Sequence, residues 1–164
     1  MDKIEKTNVM RTLDQKKIAY IPHYYDGSVT DGMTIAETLG ENPDSTYKTL
    51  VTVANTGTHY VFVVPVNSTL NLKRAAKAVG VKSVEMIKQK ELLPLTGYIH
   101  GGCSPIGMKK AFRTVIHSLA ETFPRICYSA GRVGAQVETS PQDLISLIRA
   151  TVADIADTNE KSGE

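Results

Sequence analysis

Thr46-Tyr47-Lys48-Thr49-Leu50-Val51 puts one lysine at the mouth of an apolar strand. Gly101-Gly102-Cys103-Ser104-Pro105-Ile106-Gly107 is a glycine-rich loop able to bring bare backbone N–H groups against a ligand. A cation facing a nest of amide donors suits a phosphate, or an oxygen that becomes negative during reaction. Other arrangements are weaker. His100 lies three residues before Cys103, and Cys/His pairs activate thiolates, but that spacing on a loop does not establish contact. His100, Cys103 and the distant Cys127 lack the paired ligand spacing of a zinc site. Ser104 has no evident base. No metal-ligand set or protein nucleophile stands out among these residues, and no cofactor is expected.

The elements that must position these segments can be read along the chain. Thr7 or Asn8 caps a first helix carrying Val9, Met10 and Leu13 at helical period. Ile18 to Tyr25 is extended, since Pro22 disfavours helix, and Tyr25 is a candidate pocket wall or hydroxyl donor. Asp26-Gly27-Ser28 is a turn. Thr34-Ile35-Ala36-Glu37 has the form of a capping box for a short helix closed by Gly40. A loop at Asn42-Pro43-Asp44 delivers Lys48 to a strand from Thr49 to Ala54. Asn55-Thr56-Gly57-Thr58 is a hairpin turn into the strong strand Tyr60 to Val66.

Leu70 to Val79 is an amphipathic helix closed by Gly80, and Ser83 is expected to cap another carrying Val84, Met86 and Ile87. Gly97 to His100 is expected as a short strand entering the glycine loop. Met108 to Glu121 fits a helix by its apolar spacing, while Thr114 to His117 fits a short strand equally well. Arg125 to Ser129 and Ala135 to Thr139 read as strands around the Gly131–Gly134 turn. Ser140 and Pro141 start a last helix with Leu144, Ile145, Leu147 and Ile148. The tail after Ala156 is polar and expected to fray. These strands exceed what one βαβ series needs, so the class is mixed α/β, a mixed sheet or barrel with helices around it.

With 164 residues and 41% hydrophobic content the chain suits a single domain over 1–164, with its core at about 6–156 and a polar tail at 157–164. Two Cys do not read as a disulfide framework. Met1 to Lys6 has no apolar signal core, and the longest apolar run, Tyr60 to Val66, is far too short to span a bilayer. A soluble cytoplasmic protein with reduced thiols is expected, with no membrane partner. Net charge is only +2, but Lys73 to Arg113 holds nine Lys/Arg against two acids, leaving the rest at −5. Such a run is either a solvated helix face or a basic rim that tracks a phosphate backbone.

Tyr47-Lys48-Thr49-Leu50-Val51, Leu70-Asn71-Leu72-Lys73-Arg74-Ala75-Ala76-Lys77, Gly97-Tyr98-Ile99-His100-Gly101-Gly102, Ser104-Pro105-Ile106-Gly107, Tyr128-Ser129-Ala130-Gly131 and Gln136-Val137-Glu138 occur in this order. In these motifs, from about Lys6 to Ala156, the chain resembles the YbaK/EbsC family, also called the prolyl-tRNA synthetase-associated or editing domain. The resemblance implies a mixed, partly closed β-barrel flanked by helices, with Thr114 to His117 as a strand. It implies hydrolytic removal of wrong amino acids from charged tRNA: cysteine from tRNA for proline in the YbaK subgroup, alanine or other small residues in relatives. A catalytically silent module binding tRNA ends or nucleotides is the reading from another class.

An aminoacyl ester is already activated, so the site need only hold the terminal adenosine and stabilise the carbonyl oxygen. The resemblance gives Lys48, Gly101 and Gly102 the catalytic work. Lys48 acts as a point charge on the terminal phosphate or ribose. Backbone donors from Gly101 to Gly107 serve the oxygen, each worth about 10²–10³ in rate. Tyr25, Ser104, Pro105, Ser129 and Gly131 are the substrate-binding candidates. Lys73, Arg74, Lys77, Lys109 and Lys110 are the candidates for tRNA contact. In the cysteine-clearing subgroup the substrate's own thiol attacks or assists. Gln136 stands where some relatives carry an acidic residue, and an amide cannot act as a base. The partner implied is the 3′ acceptor end of aminoacyl-tRNA, with prolyl-tRNA synthetase as a second candidate.

Overall fold

A computed structural model describes residues 5–158. Thr7 caps α1 (Asn8–Gln15), its hydroxyl accepting from the Met10 N–H, and Val9, Met10 and Leu13 form the buried stripe. The extended stretch that follows narrows to β1 (Ile21–Tyr24). Helix α2 (Gly32–Leu39) begins earlier than Thr34 suggests. Asp31 is its N-cap, accepting from the Thr34 N–H at 3.0 Å and the Thr34 hydroxyl at 2.9 Å, so Thr34 is the residue being capped. Gly40 ends this helix with φ at 69°.

The predicted hairpin is β2 (Tyr47–Ala54) with β3 (His59–Pro65), and β2 starts early enough for Lys48 to lie within the strand. Strand β4 (Ser68–Leu70) leads to α3 (Leu72–Val79), capped by Asn71 and closed by Gly80. Ser83 does not start a helix. Val84–Met86 is strand β5, which takes up the free ladder groups of β2 at its edge and buries Val84. Gly97 to His100 is not a strand either. Gly97 ends α4 (Leu92–Thr96) at φ 84° and Gly101 has φ 87°, so the segment turns at both ends.

Of the two readings of Thr114 to His117, the strand is correct: β6 spans Arg113–His117. Strands β7 (Ile126–Arg132) and β8 (Ala135–Thr139) follow, then α5 (Pro141–Ile148), capped by Ser140. After β9 (Thr151–Ala153) the polar end is paired, not frayed, through β10 (Ala156–Thr158) on β4. The rest of the expected tail lies outside the described residues.

The strands form a five-stranded mixed sheet in the order β5-β2-β3-β6-β9, an antiparallel sheet β1-β8-β7 and the pair β10-β4. Pairs β3–β6 and β6–β9 are parallel, the other pairs antiparallel. A single bridge between Thr46 and Cys127 links the two larger sheets. The fold is mixed α/β, and no closed ring of paired strands occurs among the described residues. No helix among them is long and apolar enough to cross a membrane.

Strand β3 is apolar along its length because both faces are covered. Val61, Phe62, Val63 and Val64 are all 0% exposed. Val63 packs with Val9, Met10, Leu13, Ile116 and Tyr128 in one core. Phe62 and Val64 pack with Ala75, Ala76, Val79 and Ile155 in the other. Phe62→Ala should therefore lower unfolding stability by about 3–5 kcal/mol in denaturant titration. Leu93→Ala, at a side chain 51% exposed, should stay within about 0.5 kcal/mol.

Candidate active site

Lys48 is half-buried in the wall of a cavity of about 410 Å³. Its neighbours Tyr47, Thr49 and Leu50 on β2 also line it, with Thr30, Asp31, Gly32 and Ile35 at the start of α2. Burial pushes the Lys48 ammonium below the usual lysine range, and the Asp31 carboxylate opposes that shift. Asp31 is thus both the cap of α2 and the acid that faces the lysine. The glycine loop lines the same cavity through His100, Gly101 and Cys103, joined by Tyr25, Ser129 and Gln136. The two segments that suggest chemistry in the sequence do share one cavity.

The loop's parts differ in what they can do. The Gly102 N–H donates to the Ile99 carbonyl at 2.9 Å, so it is committed to the turn. Gly102 is buried with its backbone against the β7–β8 turn: a Cβ there would meet Val133 N at 2.9 Å and Arg132 C at 3.0 Å. A Cβ at Gly101 would meet Thr30 Cγ2 at 2.8 Å. The space that demands glycine here belongs to the protein's own chain, not to an incoming ester. The N–H groups of Gly101 and Cys103 make no hydrogen bond among the described residues and remain as donors.

Other expected site residues divide in the same way. Ser129 lines the cavity, yet its hydroxyl also accepts from the Gly131 N–H at 3.1 Å across the bulge in β7. Gly131 itself, with φ at 95°, packs toward Val9 and Tyr98 and is not a lining residue. Ser104 is 0% exposed, its hydroxyl accepting from the Ile106 N–H at 3.2 Å, and neither it nor the buried Pro105 lines the cavity. Their place is in shaping the loop. Tyr25 lines the cavity and its N–H donates to Gly134, while burial raises its phenol.

Cys103 reaches the cavity as a thiol. Burial pushes it up to about 12, so it is not a ready nucleophile. Gln136, 5% exposed, has its amide nitrogen within 3.0 Å of Glu41 Oε1 and 2.6 Å of Oε2 when that nitrogen is the donor facing the carboxylate. Burial raises the Glu41 carboxyl, with the His23 charge acting against it. Tyr47 Oη and Thr49 Oγ1 are buried and without a hydrogen-bond partner among the described residues.

None of Lys73, Arg74, Lys77, Lys109 and Lys110 lines the cavity. Lys73, Lys77, Lys109 and Lys110 are exposed, and the Lys109 stem passes Gly97 behind the loop. Arg74 differs: it pairs with Asp154 at 2.6 Å and with Asp157, which ties α3 to β10. Asp31, Thr30, Ile35 and Leu92 line the cavity without being site candidates in the sequence, and His100 lines it although its spacing to Cys103 gives it no role. Only Asp31 carried a signal, as an acid three residues before Thr34 at a helix start.

Residues 28–147 match the model of the aminoacyl-tRNA editing domain. A protein of Enterococcus faecalis, described as a candidate Cys-tRNA(Pro)/Cys-tRNA(Cys) deacylase EbsC, is 43% identical over 153 residues, covering 92% of this chain and 93% of the relative. Among solved structures, the hypothetical protein APE2540 superposes with a TM-score of 0.85 at 24% identity, over 92% of this chain and all of the other. A candidate trans-editing enzyme for prolyl-tRNA synthetase gives 0.79 at 23% identity, over 92% and 93%. At those identities the two structures speak for the fold alone. The domain match and the Enterococcus relative carry the assignment, and this chain belongs to the aminoacyl-tRNA editing domain family.

Proposed function

We propose that the protein is a trans-acting aminoacyl-tRNA deacylase of the cytoplasm that clears cysteine, foremost from tRNA for proline. The observation that carries this reading is that the half-buried Lys48 lines one small cavity with Gly101 and Cys103, whose N–H groups are unpaired among the described residues. A volume of about 410 Å³ suits a small aminoacyl group with part of a nucleoside. The Enterococcus relative's description supports the choice of cysteine. The bridge joining the two larger sheets beside the cavity supports reading them as a partly closed barrel around it.

Lys48 holds the phosphate or ribose of the terminal adenosine. The N–H groups of Gly101 and Cys103 receive the carbonyl oxygen as it gains charge. Asp31 is the carboxylate that lines the cavity, and it accepts the α-ammonium that every aminoacyl ester carries. The substrate thiol then attacks its own ester carbon. A sulfur–carbon bond forms, the carbon–oxygen bond to ribose breaks, and the thiol proton ends on the released tRNA hydroxyl. This route needs no strong base, consistent with Gln136 being an amide and Cys103 a neutral thiol. Prolyl-tRNA synthetase, which forms the mischarged product, is the protein partner this activity fits.

Lys48→Ala should lower kcat/KM on cysteinyl-tRNA by about 10²-fold or more, with Tm nearly unchanged. Asp31→Asn keeps the cap on α2 and removes only the charge, so it should raise KM several-fold without loss of Tm. Full activity in Lys48→Ala would remove the central assignment. Of the basic residues, Lys73, Lys77, Lys109 and Lys110 are read as phosphate contacts, while Arg74 is occupied by its carboxylates. Replacing Lys73 and Lys77 by Ala should flatten the slope of log affinity against log salt by about 1 per lost contact. An unchanged slope returns them to a solvated face.

Substrate choice is tested by cysteinyl, seryl and alanyl esters on one tRNA. Cysteine should leave fastest and serine far more slowly, because a hydroxyl is a much poorer nucleophile than a partly ionised thiol. Equal rates on all three would remove thiol attack. Release of alanine alone would place the chain with the alanine-clearing relatives.

A further inference from the structure

Outside the catalytic cavity, sheet β1-β8-β7 gathers three metal-ligating side chains on one face. Cys127 stands directly opposite Glu138, and His23 opposite Gln136, two residues before Glu138 on the same strand. His23 Nε2 is 2.7 Å from Glu138 Oε1, and one ligand atom from each of His23, Cys127 and Glu138 lies within 4.8 Å of the other two. Linear spacing gives no hint of this set, because its members come from three strands.

A second observation concerns charge. Glu41 and Glu138 both reach Cys127, so two carboxylates converge on one buried thiol. The basic side chain beside them is the His23 imidazole, and no lysine or arginine pairs with either acid among the described residues. A divalent cation is what would balance a thiolate and a carboxylate at this place. Imidazole, thiolate and carboxylate together suit zinc or a similar borderline metal, not magnesium or calcium. Ligand bonds of about 2.0–2.3 Å in tetrahedral geometry set N and O ligands about 3.3 Å apart, so a metal would part His23 from Glu138, now at 2.7 Å, and hold the Cys127 sulfur against both. His23 and Glu138 are partly exposed, at 29% and 23%, which gives both an entry path and room to move.

We propose that His23, Cys127 and Glu138 form a zinc-type metal site, with water in a fourth position and Glu41 available to accept a hydrogen bond from it. On binding, the Cys127 S–H bond breaks, a sulfur–metal bond forms and the proton passes to solvent. The site ties all three strands together just before Tyr25, the residue that follows β1 into the cavity wall. It stands apart from the deacylase reading, and either can fail alone.

The full-length reduced protein is titrated with cobalt(II), a spectroscopic stand-in for zinc. A single equivalent should produce a thiolate-to-cobalt charge-transfer band that zinc bleaches. Zinc, but not magnesium, should raise Tm. The band should persist in Cys103→Ser and vanish in Cys127→Ser. His23→Ala and Glu138→Gln, both at partly exposed positions, should weaken cobalt binding at least tenfold. Absence of the band in the unmodified protein overturns the proposal whether or not Cys127→Ser folds. So does a band that survives Cys127→Ser, or affinities unchanged in both His23→Ala and Glu138→Gln.

Discussion

The pairing of β2 with β3 is the constraint from which the rest of the molecule follows. Strand β3 is walled on both faces, so its register cannot slip without moving Phe62 and Val63 into each other's cores. That register sets Lys48 opposite Val64 and Leu50 opposite Phe62. A half-buried lysine is held where it is because the strand beneath it has one acceptable alignment. Tyr47, next to it, packs into the core that α1 and β7 share, which anchors the same end of the strand.

Around that fixed lysine the site is electrostatically economical. Asp31 is spent on capping α2 and still presents charge to Lys48, so one carboxylate serves both local structure and the cavity. The thiols nearest the polar groups are kept neutral by burial: Cys103 at the cavity, Cys127 beneath it against Glu41 and Glu138. Gln136 separates the cavity from Glu41, placing an amide where a second buried negative charge would otherwise face the substrate. The consequence is a pocket of cation and backbone donors, suited to stabilising an oxygen and poorly suited to removing protons.

The glycine loop depends on another kind of contact. Gly102 approaches the β7–β8 turn so closely that backbone meets backbone, and this approach carries Gly101 and Cys103 to the cavity edge. Ser104 and the bulge at Ser129–Arg132 serve the same placement through local hydrogen bonds. Residues that a motif groups together thus differ in place: Gly101 and Cys103 line the cavity with N–H groups unpaired among the described residues, and their neighbours are bonded within the loop.

Much of this was legible in the residues themselves. The caps at Thr7 and Ser140, the β2–β3 hairpin and the β7–β8 pair follow from short-range chemistry, because a hydroxyl three residues from an N–H, or a turn between apolar runs, is a local event. The meeting of Lys48 with the Gly101 loop was legible through motif order. The errors came where a neighbour outvoted local preference. Val84–Met86 became strand since the edge of β2 offered it partners, and Asp157 became part of β10 since β4 and Arg74 did. The sequence by itself determined the family, the central strands and the charged and glycine-rich components of the site. Tertiary structure alone decided which amides stay free, that Arg74 is taken, and that His23, Cys127 and Glu138 meet, because cross-strand pairing joins residues whose separation along the chain says nothing of their distance in space.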